Sequence, residues 1–319
     1  MEYTRLGSTG LEVSRLCFGT SRFNREVDGS IQTTRDEAHT LLDECAAQGI
    51  NFIDTANIYG QRGASERWIG EWLADRDRED YVIASKVNGR MADRPNGRGL
   101  GRKHVRDQID SSLERLGTDY LDVYYIHRWD ESTPIEETLR TMDGLVEDGK
   151  VHYLGTSVTA AWQLVRALWT SDREGFERFE ITQPRFNAAD RDDAAAFLDV
   201  CSDQSLAVCP YAGLAGGFLT GKYDRDDAPP SGSRGDVYGW EDRFSDRQWA
   251  VLDAVEKAAK ETGGTPAQVA LRWLMDQERF TCVPIVAART VDQLQDNAGA
   301  ADLELPDPAR EQITSAYEA

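Results

Sequence analysis

Four side chains that could carry out proton transfer lie at or just after the ends of apolar segments. Asp54, Lys86 and His127 each end a short apolar run, and Tyr59 follows the first of these by five residues. A lysine that ends an apolar strand needs a partner if it is buried, and Asp54 can supply the opposite charge. A Lys86 ammonium beside Tyr59 would favour the phenolate and lower the pKa of the phenol. With His127 donating a hydrogen bond to a substrate oxygen, the four residues predict acid–base catalysis.

Three of the four residues also have a purely structural interpretation. Asp54 could cap the turn after its strand, and Tyr59 could pack at an interface. His127 could be a hydrogen-bonded histidine of the core. Only the combination of these residue types on neighbouring strands favours chemistry over packing.

Apolar runs and helix-like stretches alternate along the whole chain. The apolar runs predict strands at 15–19, 51–54, 81–86, 120–127, 152–157, 179–184, 206–210 and 281–285. The periodicity between them predicts helices at 34–48, 65–75, 102–116, 134–148, 160–171, 190–203, 246–277 in two pieces, and 290–300. Strict alternation is typical of a parallel sheet with helical crossovers. Eight repeats in 319 residues predict an α/β fold, a (β/α)8 TIM barrel, as a single domain over residues 1–319.

Two segments fall outside this repeat. Residues 3–6 and 11–14 flank the turn at 7–10 and predict an N-terminal β-hairpin before the barrel. Residues 222–245 follow the seventh strand, are rich in Pro, Gly, Asp and Arg, and predict a long loop. Loops of this length are usually functional or disordered. Since barrel active sites lie at the C-terminal ends of the strands, the four candidate residues should meet there.

The charge and the cysteines restrict the function further. The chain has 36 basic and 56 acidic residues, a net charge of −20, which argues against a nucleic-acid binder. No apolar run approaches the length of a membrane span, and the N-terminus lacks a secretory signal pattern. Five cysteines without a CxxC pair predict buried, reduced thiols and a cytoplasmic protein. The four scattered histidines predict no metal site.

Lysine is scarce among the basic residues. Only six of the 36 are lysines, and aspartate outnumbers glutamate by 33 to 23. Such a surface resembles that of proteins from salt-loving archaea, in which concentrated cations screen the repulsion. An ordinary acidic cytosolic protein is the alternative.

The order Asp54, Tyr59, Lys86, His127 resembles the catalytic tetrad of the aldo-keto reductase superfamily. Other segments resemble signature segments of that family in the same order: 49–60 followed by Ser65-Glu66, 122–130, 149–157, 211–222 and 266–273. The resemblance covers roughly residues 3 to 305.

This resemblance implies a barrel enzyme that reduces a small aldehyde or ketone by hydride transfer from NADPH, with NAD as the alternative cofactor. It implies Tyr59 as the general acid, tuned by Lys86, with Asp54 supporting Lys86 and His127 orienting the carbonyl. The residues that it implies around the cofactor are Thr20, Ser21, Asp54, Ser157, Gln183, Tyr211, Ala212, Leu214, Gly216, Lys222, Arg234, Arg289, Gln293 and Asn297.

Several of these carry a specific implied role. Ser157 and Gln183 would hold the nicotinamide carboxamide, and Tyr211 would stack on the ring. The resemblance gives Lys222 and Arg234 to the pyrophosphate, although both could equally be surface charges of a loop.

Arg289, Gln293 and Asn297 are spaced to share one helix face, and the resemblance implies that this face meets the adenosine 2′-phosphate and adenine. The structural alternative for these three is a solvated polar face.

Two other functions remain open. One is a cofactor-binding regulatory subunit that resembles the potassium-channel β subunits of the same fold; those depart at the strand-4 histidine, so His127 favours an enzyme. The other is a metal-dependent barrel hydrolase that uses Asp54 and His127, although the sequence lacks a His-x-His at the first strand. The oligomeric state is not readable from the sequence.

Overall fold

The structure, a computed structural model, describes residues 1–27, 29–240 and 244–318. The strands are β1 (Tyr3–Arg5), β2 (Glu12–Ser14), β3 (Cys17–Gly19), β4 (Glu26–Val27), β5 (Ser30–Ile31), β6 (Phe52–Asp54), β7 (Val82–Val87), β8 (Leu121–Ile126), β9 (Val151–Ser157), β10 (Phe179–Gln183), β11 (Ala207–Val208) and β12 (Ile285–Val286). The helices are α1 (Arg35–Ala47), α2 (Tyr59–Leu73), α3 (Arg102–Leu116), α4 (Ile135–Glu147), α5 (Ala161–Glu174), α6 (Ala195–Asp203), α7 (Arg234–Tyr238), α8 (Asp246–Thr262), α9 (Pro266–Met275), α10 (Val291–Ala298) and α11 (Asp307–Ala316).

Eight parallel strands form the central sheet, in the order β11-β10-β9-β8-β7-β6-β3-β12. The sheet curls until its two ends meet. Val208 N–H donates to Thr281 O and Val283 N–H donates to Val208 O, both at 2.9 Å, so the last strand segment joins β11. Helices lie between successive strands, which confirms the predicted (β/α)8 barrel.

The apolar runs fill two layers of core. β7 and β8 are buried at every residue, as expected for strands covered on both faces. The barrel interior is filled by side chains such as Phe52, Tyr125 and Val283, and a second, larger cluster lies between strands and helices. All five cysteines are buried and unpaired, in agreement with the sequence prediction.

The predicted hairpin is present as β1 and β2, paired antiparallel. Its side chains Leu6 and Val13 are fully buried among the residues of the barrel interior. Ser8 Oγ donates to a Glu180 carboxylate oxygen at 3.1 Å, near the start of β10. The hairpin therefore closes the N-terminal end of the barrel and leaves the opposite end open for chemistry.

The structure differs from the sequence prediction in a few elements. The 190–203 prediction begins too early, because only 195–203 is α-helical and a 3-10 turn precedes it. The stretch 246–277 is two helices as expected, broken where Gly263 adopts a φ of 72°. The ribbon β4–β5 and the helix α11 were not predicted. The 222–245 loop contains the short α7, and its residues 241–243 lie outside the described residues.

Among the residues that the structure describes, no helix combines the length and apolarity needed to cross a membrane. The described ranges also contain no group of three His, Cys, Asp or Glu side chains arranged to hold a metal ion.

Candidate active site

Lys86 lies at the centre of the four candidate residues, at the open end of the barrel. Its Nζ donates to Asp54 Oδ2 at 2.5 Å, to Thr55 O at 2.8 Å and to Tyr59 Oη at 3.4 Å. Lys86 is only 1% exposed and Asp54 only 3%. The three ammonium hydrogens therefore have three acceptors, and a buried charge of each sign compensates the other.

The charge balance differs in part from the sequence expectation. Burial acts to lower the pKa of Lys86, but attraction to Asp54 and Tyr59 raises that pKa above its ordinary value, so the ammonium stays charged. Burial raises the pKa of Tyr59, and Lys86 offsets this only in part. The expected net lowering of the Tyr59 pKa is therefore wrong, because desolvation outweighs the neighbouring cation. At neutral pH the phenol keeps its proton.

Tyr59 is positioned by an uncommon backbone turn. The four residues 60–63 have φ values of 65°, 59°, 70° and 105°, a left-handed conformation that costs energy for side chains other than glycine. A Cβ at Gly60 would lie 2.7 Å from Phe23 O. Only glycine fits at this first position, and the turn separates Tyr59 from the regular part of α2 that begins after Gly63.

His127 follows β8 and faces the Tyr59 ring. The two ring centroids are 5.6 Å apart and the planes meet at 81°. Burial, and then the charges of Lys86 and Arg128, lower the pKa of His127 from 6.5 to about 3. The imidazole is therefore neutral and has one N–H to donate. The structure thus brings all four candidate residues together at one end of the barrel.

Gln183 and Ser157 extend this group on the next two strands. Gln183 Nε2 donates to Asp54 Oδ1 at 2.7 Å, and Ser157 Oγ donates to Gln183 O at 3.1 Å. Both side chains are buried at the ends of β10 and β9. Of the two residues expected at the nicotinamide carboxamide, Gln183 therefore contacts Asp54 directly, and Ser157 contacts Gln183.

Thr20 faces the protein interior. Its hydroxyl donates to Asp54 O at 3.0 Å and lies 2.7 Å from Ser65 Oγ, and the residue is fully buried. This hydroxyl supports the end of β6. Ser21, which comes next, is half-buried at the same rim.

The segment after β11 forms a tight loop with several left-handed residues. Tyr211 is half-buried, and Ala212, Ala215 and Gly216 have φ values of 59°, 49° and 72°. Leu214, also half-buried, lies between them. Turns in which right- and left-handed residues alternate can direct several N–H groups to one side and create a concavity for an anion.

The structure brings both predicted cations of the long loop against this segment. A Cβ at Gly217 would lie 2.8 Å from Lys222 Nζ, and one at Gly216 would lie 3.5 Å from Arg234 Cδ. Lys222 Nζ also lies 5.2 Å from the centre of the Tyr223 ring. The pyrophosphate role of these two residues stays a prediction.

Only part of the predicted adenosine-binding face lies on helix α10. Helix α10 begins at Val291 with Thr290 as its N-cap, so Arg289 lies just before the helix. Arg289 N–H donates to Gln293 Oε1 at 2.9 Å, and its guanidinium donates to Gly232 O at 3.0 Å. Asn297 is buried, with 5% exposure. Arg289 and Gln293 therefore lie together, whereas Asn297 lies deeper.

Sequence reasoning gave no role to Glu66, which supports the site from behind. Glu66 is fully buried, accepts from Ser85 Oγ at 2.6 Å, and pairs with the Arg115 guanidinium at 2.6 Å. Ser85 precedes Lys86, so this carboxylate fixes the strand that carries the lysine. Its acidic type inside an otherwise apolar helix face is the signal that could have identified it.

The comparison with known proteins agrees with this geometry. The model of the Aldo/keto reductase family matches residues 15–318. An uncharacterized oxidoreductase of Bacillus subtilis, YrpG, is 35% identical over 315 residues, which cover 96% of this chain and 92% of that protein. Norsolorinic acid reductase B of Aspergillus parasiticus is 35% identical over 323 residues, covering 98% and 82%. A probable voltage-gated potassium channel subunit beta of Arabidopsis thaliana is 34% identical over 311 residues, covering 95% and 92%. The chain therefore belongs to the aldo/keto reductase family.

Proposed function

We propose that this protein reduces an aldehyde or ketone to an alcohol with a reduced nicotinamide cofactor, and that Tyr59 donates the proton. The observation that carries the proposal is the contact of a protonated phenol with the buried Lys86 ammonium at 3.4 Å, beside a neutral His127. A bound cofactor of this kind supplies a hydride for the carbonyl carbon. The remaining roles belong to residues of the chain.

Those residues divide the work between orientation and charge. The His127 N–H would hold the carbonyl oxygen, and Tyr59 Oη would protonate it as negative charge develops there. The Lys86 ammonium would stabilise the phenolate that remains. Asp54 keeps that ammonium charged through its 2.5 Å contact.

The residues around the mouth fit a dinucleotide. Ser157, Gln183 and Tyr211 would hold the nicotinamide end, next to the four catalytic residues. The concave turn around Gly216 suits phosphate oxygens, with Lys222 and Arg234 beside it.

We also propose that NADP is preferred over NAD. The exposed Arg289 guanidinium lies at the start of the α10 segment, where it can pair with a 2′-phosphate.

The test is replacement of Tyr59 by Phe, followed by NADPH oxidation at 340 nm across a panel of aldehydes and ketones. Loss of the proton donor should reduce kcat by about 10²–10⁴-fold while cofactor binding, followed by fluorescence quenching, is kept. Tyr3→Phe is a matched control, because Tyr3 is 54% exposed and its hydroxyl donates only to Gly49 O. Near-normal turnover by Tyr59→Phe would refute the assigned role.

A second candidate function is a cofactor-binding regulatory subunit, supported by the similarity to the Arabidopsis channel-subunit protein. The same assay separates the two functions. Tight binding of NADPH without consumption, over the whole carbonyl panel, would favour the regulator.

Finer properties also belong to this proposal. We infer a single domain over residues 1–319 and a cytoplasmic location, which the five reduced, buried thiols support. We further infer adaptation to high salt, as in proteins of salt-loving archaea, from the charge of −20 and the six lysines. A chain this acidic is not expected to bind nucleic acid.

A further inference from the structure

The loop that follows β7 has the opposite charge to the rest of the chain. Residues 88–103, here called the basic loop, include the first two residues of α3 and carry one acidic residue and five exposed basic ones: Arg90, Arg94, Arg98, Arg102 and Lys103. The chain as a whole has 20 more acidic than basic residues. A cluster of cations on such a protein attracts anions to one place on its surface.

The basic loop stands beside the candidate active site. A Cβ at Gly89 would lie 2.5 Å from Ile58 Cδ1, and Ile58 directly precedes Tyr59. At the other side, Asn88 Nδ2 donates to Arg128 O at 3.1 Å, and Leu100 N–H donates to Asp130 Oδ2 at 2.8 Å. The loop is therefore fixed on one side next to Ile58, which precedes the phenol, and on the other next to Arg128 and Asp130, which follow the imidazole.

Arg128 joins this loop to the reacting centre. It follows His127 at the end of β8 and is exposed. Its charge lowers the pKa of His127 and partly offsets the rise that burial causes in the pKa of Tyr211. Arg128 therefore lies directly after the imidazole at the rim of the barrel, and its exposed charge acts on both His127 and Tyr211.

The charge of Arg128 is not neutralised by the protein. Within residues 1–27, 29–240 and 244–318, its side chain has no ion pair, and the same holds for Arg94 and Arg98. Arg185, another cation at the mouth, is paired with Asp190 at 2.7 Å. Asp130, the acid closest in sequence, already accepts hydrogen bonds from a backbone N–H and from hydroxyl groups.

The basic residues also stand where a helix disfavours them. Arg102 and Lys103 begin α3, which has no acidic residue of its own in the first turn, although Glu137 Oε1 accepts from Arg102 N–H at 2.9 Å and Lys103 pairs with Asp107. Cations at a helix N-terminus oppose the helix dipole and reduce stability.

We propose that the substrate of this reductase carries a carboxylate or phosphate group, which Arg128 binds and which the basic loop attracts to the barrel mouth. The inference rests on the proposed carbonyl reduction. A planar guanidinium can form two parallel hydrogen bonds to either group, so it would hold the substrate with its carbonyl toward Tyr59 and His127. The exposed loop arginines act at longer range and raise the rate of encounter.

The experiment compares kcat/KM for pairs of substrates that differ in charge. One pair is 4-carboxybenzaldehyde and methyl 4-formylbenzoate; the other is glyceraldehyde 3-phosphate and glyceraldehyde. We expect the anionic member of at least one pair to be preferred about tenfold or more, mainly through KM, and the pair that shows it distinguishes carboxylate from phosphate. Raising the salt concentration from roughly 0.1 M to 1 M should reduce the preference for the anionic substrate, because added salt shortens the distance over which charges attract each other.

Arg128→Gln should reduce the ratio of anionic to neutral kcat/KM to near one, and Arg128→Lys should keep part of it. Arg67→Gln is the matched control, since Arg67 is also exposed and has no ion pair with the described residues, but lies on α2. The double variant Arg94→Gln with Arg98→Gln should lessen the salt dependence.

The wild-type comparison alone decides the substrate class, whatever the stability of the variants. Equal use of charged and neutral members would overturn the inference and leave carbonyl reduction intact. A preference that survives Arg128→Gln would overturn the role of Arg128. Failure to reduce any carbonyl would refute the proposed function, and the inference with it.

Discussion

Replacing Asp54 by Asn removes the charge that compensates Lys86. In the native protein the Asp54 carboxylate accepts from Lys86 Nζ at 2.5 Å and from Gln183 Nε2 at 2.7 Å. The asparagine amide has the same shape but only one oxygen for these two donors, so its NH2 group faces the second donor. Since Lys86 is 1% exposed, water cannot replace the lost partner.

The expected cost at pH 7 is about 3–5 kcal/mol of unfolding free energy, the usual effect of leaving one member of a buried pair uncompensated. The pH dependence should change as well. In the wild type the pKa of Lys86 is raised, so its contribution is fully present below the unfolded value of 10.5 and is lost only at higher pH. Without Asp54, burial lowers the pKa of Lys86 in the folded state. Below pH 10.5 the unfolded chain then holds a proton on Lys86 that the folded chain tends to lose, so the unfolding free energy rises with pH by up to about 1.4 kcal/mol per pH unit.

Urea unfolding followed by circular dichroism at pH 6, 7, 8 and 9 measures both effects. Asp148→Asn is the control, because the Arg106–Asp148 pair is 46% exposed on both sides and should contribute less than about 1 kcal/mol. Asp54→Asn with Lys86→Met should recover part of the loss, because no buried charge remains. If Asp54→Asn stayed within 1 kcal/mol of wild type, with an unchanged pH profile, Lys86 would not be a buried cation held by Asp54.

Three further predictions concern other parts of the molecule. The His127 ring should show no titration above about pH 4 by NMR, and a titration midpoint near pH 6.5 would contradict this. The unfolding free energy should fall as pH drops from 6.5 toward 3, because the unfolded imidazole binds a proton that the folded one does not. Val158 is exposed with a φ of 46°, so Val158→Asn should raise the unfolding free energy by about 1 kcal/mol. The same change at the exposed helical Val165 should not raise it. A lower unfolding free energy for Val158→Asn would argue against backbone strain at residue 158. Because the net charge is −20, the thermal unfolding temperature should rise between roughly 0.1 M and 2 M KCl, and a flat response would count against adaptation to salt.

The barrel could be predicted from the sequence because its signal repeats. Each strand is a short apolar run, fully buried in the case of β7 and β8, and each crossover helix has its own periodicity. The ribbon β4–β5 was missed because two-residue strands carry no pattern. The start of α6 was misplaced since a 3-10 turn and an α-helix present similar spacing.

The gathering of the four candidate residues was also predictable, because parallel strands end at one rim of a barrel. The pKa of Tyr59 was not, since the outcome depends on how far burial outweighs a cation 3.4 Å away. The position of Arg289 just before α10 depends on the capping by Thr290, which donor spacing alone did not reveal. Residue types thus indicate which residues form the site. The effect of burial on their pKa values and the exact start of a helix can be read only from the structure.

The ring of strands is completed by partners from opposite ends of the chain. Cys17 of β3 pairs with Ile285 of β12, and β11 meets the last strand through the bridge Val208–Cys282. During synthesis on the ribosome, β3 therefore waits for nearly the entire polypeptide before it gains its second neighbour. Until then the nascent sheet has two unpaired edges, which can recruit another chain. A circular permutant with joined termini and new chain ends at another loop of the barrel would place these unpaired strand edges at a different position in the sheet.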